Sequence, residues 1–109
     1  MEGFWTVVFQ AAGGGTGGGV AIFRDGKILG GDSAYQYQGT YQLDSDQLRA
    51  TVQVRSFIPN VPTVFGNTPN FTLQLEGRVK NGTGEAQGQV VGAPQLRIGI
   101  RLTKQASLN

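Results

Sequence analysis

The sequence predicts an all-β fold, an eight-stranded up-and-down β-barrel, on three observations. Apolar and polar residues alternate with period two over most of the chain. Leu48, Ala50, Val52 and Val54 set against Gln47, Arg49, Thr51, Gln53 and Arg55 are the cleanest case. Two dipeptides, Asp25-Gly26 and Asn81-Gly82, readily supply the positive φ angles of a tight hairpin turn. Sequential short connections join the alternating runs, and closing such a meander into a barrel removes exposed strand edges. A two-sheet sandwich is the alternative architecture. The 3.6-residue period of an amphipathic helix is absent throughout.

The first strand is expected over Gly3–Gln10, with Trp5, Val7 and Phe9 on one face and Phe4, Thr6 and Val8 on the other. Apolar groups on both faces predict a strand covered on two sides. Gly13–Gly19 reads as a flexible connection, and Gly19–Arg24 and Lys27–Asp32 form a hairpin about Asp25-Gly26. After Gly30-Gly31, a fourth strand over Ala34–Leu43 places Tyr35, Tyr37, Gly39 and Tyr41 on one face. Leu43-Asp44-Ser45-Asp46 has turn chemistry, because Asp and Ser side chains bond neighbouring amides. Gln47–Phe57 is the fifth strand. Pro59 and Pro62 break the ladder, so Ile58–Pro69 is expected to cross irregularly. Strands over Phe71–Lys80, Glu85–Val91 and Gln95–Lys104 complete the set.

Length and composition bound the function. The 109 residues make one domain, and a net charge of +2 argues neither for nor against an acidic partner. Without cysteine there is no disulfide, thiolate nucleophile or zinc–sulfur site. Without histidine, the commonest general base and metal ligand are missing. No catalytic set and no cofactor is therefore expected. No stretch reads as a signal peptide, and no apolar run approaches the about 20 residues of a membrane helix, so the expected compartment is the cytoplasm.

The remaining constellations have plain readings. Gly13 to Gly19 lacks the following helix and Lys-Ser/Thr of a phosphate loop. Asp44 and Asp46 supply far fewer oxygens than a calcium loop, so no metal is expected. Asp32, between two glycines and a strand, is expected to cap a turn by accepting backbone hydrogen bonds. Arg49, Arg55, Arg78, Lys80, Arg97 and Arg101 fall on outward positions and read as a solvated face. With no aromatic platform beside them, direct nucleic-acid binding is not expected. Phe9, Phe23, Tyr35, Tyr37, Tyr41 and Phe71 point inward. They either fill the interior, as in many small eight-stranded barrels, or line a cavity for a small apolar or amphipathic ligand. Filling is the preferred reading.

Gly3-Phe4-Trp5-Thr6-Val7-Val8-Phe9, the run from Gly19 through Gly30-Gly31-Asp32, and Tyr37-Gln38-Gly39 resemble the GrlR family. Its namesake is a bacterial negative regulator of type III secretion gene expression. The resemblance covers about the first half of the chain. It implies a lipocalin-like barrel that dimerises and sequesters a transcriptional activator. In the namesake an acidic Glu-Asp-Glu-Asp motif after Tyr-Gln-Gly serves recognition. The matching positions here are Leu43, Asp44, Ser45 and Asp46, which keep both aspartates and lose the flanking acids. The expected protein is thus a non-enzymatic negative regulator of transcription. Asp44, Ser45 and Asp46 are its partner-binding candidates. Phe4, Val8 and Phe57 are the candidates for a homodimer interface. A carrier or sensor of a small apolar ligand is the alternative.

Overall fold

The computed structural model describes residues 1–59 and 70–109, and its described strands form one closed antiparallel barrel. The strands are β1 (Gly3–Ala11), β2 (Thr16–Arg24), β3 (Lys27–Gly31), β4 (Tyr35–Asp44), β5 (Gln47–Ser56), β6 (Asn70–Lys80), β7 (Thr83–Val90) and β8 (Ala93–Ala106). Each pairs with its neighbour in the chain, and β1 pairs with β8, Val7 opposite Leu102, to close the ring. This is the up-and-down barrel the alternation predicted. The sandwich is excluded by the β1–β8 ladder.

Turn chemistry sets the register. Asp25 and Gly26 have φ of 52° and 77°, and Asn81 and Gly82 have 55° and 79°, the double positive φ of type I′ turns. Between β4 and β5 only Ser45 is positive, at 58°. With these turns in place, parity decides what is buried. Trp5, Ala21, Phe23, Leu48, Val79 and Leu102 are among the inward residues of the core. The pattern is apolar within, with charge outside on β4–β8. A membrane-spanning barrel has the reverse polarity.

The structure shifts several boundaries. β2 begins at Thr16, so the glycine segment is half strand rather than a free connection: Gly17 pairs with Phe9 and Gly19 with Val7. The reason is room for aromatic rings. A Cβ on Gly17 would stand 2.7 Å from the Phe9 ring, and one on Gly19 would stand 2.7 Å from the Tyr37 hydroxyl. β3 stops at Gly31 because Asp32 turns the chain, its N–H donating to the Tyr35 carbonyl at 2.9 Å. β5 ends at Ser56, leaving Phe57 outside it, and β7 and β8 each begin two residues earlier than expected. Ile58 and Pro59 lie outside any strand; residues 60–69 of the expected irregular crossing fall outside the described residues.

The two ends of the barrel differ. At the end carrying the turns Asp25-Gly26, Ser45-Asp46 and Asn81-Gly82, Trp5 is fully buried and its indole N–H donates to the Met1 carbonyl at 3.0 Å. Trp5 meets Phe23 edge-on at 5.9 Å between ring centroids, and Phe23 meets Tyr41 at 5.2 Å. Such edge-to-face contacts stabilise beyond simple burial. This aromatic stack, with Met1 packed against the core, plugs that end.

Candidate functional site

Above the plug the interior is not filled. A cavity of about 410 Å³ runs through the barrel, within the size range of small-molecule sites. Its space comes from small inward residues. β2 contributes Gly17 and Ala21, β5 contributes Ala50 and β7 contributes Ala86, all lining the cavity. Larger aliphatic residues such as Leu73, Leu75 and Ile98 form the remaining wall. The preferred expectation of a filled interior therefore gives way to a cavity. Small residues on the inner faces of β2 and β7 were its legible signal.

The cavity reaches the surface at the end opposite the plug, between Gly15–Gly18 and the turn Asp32–Ser33–Ala34. Asp32 organises this rim. Its Oδ1 accepts the N–H of Ala34 and of Tyr35, both at 2.9 Å, which is the turn-capping role expected for it. Its Oδ2 accepts the Tyr37 hydroxyl. That pairing was not foreseen from the sequence, although Asp32 and Tyr37 are close in the chain. Burial, the bond to Asp32 and the carboxylate's charge together push the Tyr37 hydroxyl well above the ordinary tyrosine range. Tyr35 is raised mainly by burial and further by Asp32. Both tyrosines are thus held neutral, and Tyr37 is a fixed hydrogen-bond donor to an acid.

Of the six cavity candidates, Phe9, Phe23, Tyr35, Tyr37 and Phe71 line the space. Tyr41 does not: it lies in the plug against Phe23, and burial is the main cause raising its hydroxyl pKa. Asp32, Ala50 and Ala86, which line the cavity, were not among the candidates.

The outer surface carries the others. Asp44 and Ser45 are exposed and Asp46 half-buried at the plugged end, where the Asp46 carbonyl accepts the Val79 N–H at 2.9 Å. Val8 is 60% exposed and Phe4 half-buried, both on the outer face of β1. Phe57 is also exposed but sits at the open rim, its N–H bonded to the Ala34 carbonyl, several strands from Phe4 and Val8. The three do not form one surface. What joins Phe4 and Val8 instead is a row from β2 and β3: Phe4 pairs with Ile22, Ile22 with Leu29, and Thr6 with Val20. Val20 is 41%, Ile22 40% and Leu29 57% exposed.

The outward cations do not make a continuous basic stripe. Register sets Glu76 beside Arg49, and Glu85 between Arg78 and Arg101, with Glu85 3.5 Å from Arg101. Exposed pairs of this kind contribute little to stability. No group of three or more metal-ligating side chains occurs among the described residues. No described helix is long and apolar enough to cross a membrane.

Fold and site together define a closed eight-stranded β-barrel with an internal apolar cavity that, among the described residues, opens at one end. No known family profile and no curated protein matches the chain.

Proposed function

We propose that this chain is a non-enzymatic regulatory protein of the bacterial cytoplasm, a homodimer that captures a protein partner such as a transcriptional activator. The observation that carries the reading is the apolar outer row of Phe4, Val8, Val20, Ile22 and Leu29 across β1–β3. The outward positions of β5 and β6 carry Gln, Arg, Thr and Glu instead. An apolar patch rimmed by polar residues is the usual mark of an association surface. It carries no charge that would repel its own copy, which suits a two-fold interface between identical faces. Partner capture is supported by the resemblance to the GrlR family and by the exposed Asp44-Ser45 turn, to which Asp46 contributes a half-buried carboxylate.

Affinity purification from the native cell, comparing wild type with Asp44→Ala/Asp46→Ala, tests the capture surface. Loss of one co-purifying protein is expected. Unchanged partners and affinities would remove that turn from the proposal. Sedimentation at micromolar concentration tests the dimer, and a monomer there would contradict it.

A second reading, carriage or sensing of a small apolar or amphipathic ligand, is favoured by the cavity of about 410 Å³. Native mass spectrometry of gently purified protein is its test. A reproducible small-molecule adduct supports it; bare protein from several growth conditions would count against it.

A further inference from the structure

We infer that the cavity selects an amphipath whose polar end is a hydrogen-bond donor, best a primary ammonium, and discriminates against carboxylates. The inference rests on the ligand-binding reading of the cavity and adds the chemistry of the head group. At about 30 Å³ per group, the share of a water in the liquid, a volume of 410 Å³ takes on the order of a dozen non-hydrogen atoms. The wall is hydrocarbon from Ala50, Leu73 and Ile98 up to the rim. At the rim, Asp32 is the one charged side chain among the described lining residues.

The carboxylate is oriented before any ligand arrives. Among the described residues, two backbone N–H groups and the Tyr37 hydroxyl occupy three of its roughly four acceptor positions, leaving about one for a ligand. Because the Asp32 turn and β4 hold it, accepting a donor requires little reorganisation. An anionic head would meet like charge at a partly desolvated rim, with no lysine or arginine among the described lining residues to neutralise it. The numerous cations stand outside: Arg49, Arg55, Arg78, Arg97 and Arg101 all face away from the cavity, and all are exposed. Overall charge makes the opposite prediction. At +2 the whole protein attracts anions, so a preference for a cation reports the local carboxylate.

The test is calorimetric titration of the full chain at pH 7 with decylamine, decanol and decanoate, below their aggregation limits. Decylamine is expected to bind at least tenfold more tightly than decanoate, with decanol between them. Asp32→Asn should bring the amine down to the alcohol's affinity, and Ala50→Phe, which fills the cavity beneath an intact rim, should abolish binding of all three. Decanoate binding as well as or better than decylamine overturns the head-group assignment while leaving a ligand-binding cavity. So does an amine preference that survives Asp32→Asn. Failure of all three ligands to bind overturns the assignment together with the cavity reading beneath it. Should Asp32→Asn not fold, the wild-type order of affinities still decides the assignment.

Discussion

Replacing Tyr37 with phenylalanine removes the one side-chain donor to Asp32 among the described residues while keeping the ring that lies over Gly19. A hydrogen bond to a charged group contributes roughly 1.5–3 kcal/mol net. Asp32 is half-exposed and water partly replaces the lost donor, so the expected cost at pH 7 lies near the lower limit, about 1.5 kcal/mol. For a domain of this size that lowers Tm by about 6–12 °C.

The pH dependence is the stronger part of the prediction. In the unfolded chain Tyr37 titrates near its ordinary value of about 10. In the fold its pKa lies well above that, so the proton stays on. The stabilisation is complete below pH 10. Above it, the unfolded chain releases a proton that the folded chain keeps, and wild type loses about 1.4 kcal/mol per pH unit from this side chain. Tyr37→Phe cannot lose it. The gap between the two proteins should therefore narrow from about 1.5 kcal/mol at pH 7 to near zero by about pH 11. Urea unfolding followed by fluorescence of Trp5, the single tryptophan and fully buried, measures both proteins at both values. Tyr35 and Tyr41 are present in both and cancel in the comparison. A gap below about 0.5 kcal/mol at pH 7, or one unchanged at high pH, would refute the role given to the Asp32–Tyr37 bond.

Further outcomes follow from the same structure. Trp5→Ala should lose about 3–5 kcal/mol by denaturant unfolding, because it empties the plug and orphans the Met1 carbonyl contact. Gly39→Ala should destabilise by about 2 kcal/mol or more in thermal unfolding, since its Cβ would stand 2.1 Å from the backbone oxygen of Thr51, which has little room to retreat. Leu29→Asp, on the outer row, should leave monomer stability within about 0.5 kcal/mol yet shift sedimentation from dimer to monomer. An unchanged dimer would exclude β1–β3 as its interface.

Elements and turns were legible because their signals are short-ranged. Leu48 to Val54 declare their inward face by alternation alone, and Asp25-Gly26 and Asn81-Gly82 declare their turns by backbone preference. The glycine segment before Val20 misled for a physical reason. Glycine carries no side chain to alternate, so the strand from Thr16 to Gly19 has little period to read, and only pairing with Phe9 and Val7 reveals it. The site was legible in part. Five aromatic residues of the cavity wall follow from parity, whereas Tyr41, of the same parity, lies a turn's distance further along the barrel and serves the plug. Phe57 could not be separated from Phe4 and Val8 by exposure or residue type. Only its bond to Ala34 places it at the other rim.

By itself the sequence determined that this chain is all-β, how many strands it makes, where three hairpins turn and which residues face in. Each of those follows from interactions within two to about ten residues. Tertiary structure alone decided three things: that β1 meets β8, that small residues on β2, β5 and β7 leave space rather than a filled core, and that Asp32 holds Tyr37 at the mouth of that space. It also assembled the outer row of Phe4, Val8, Val20, Ile22 and Leu29 from strands that each contribute one or two members. Cavities and surface patches are sums over strands that the closed register brings together, and no local period carries that sum.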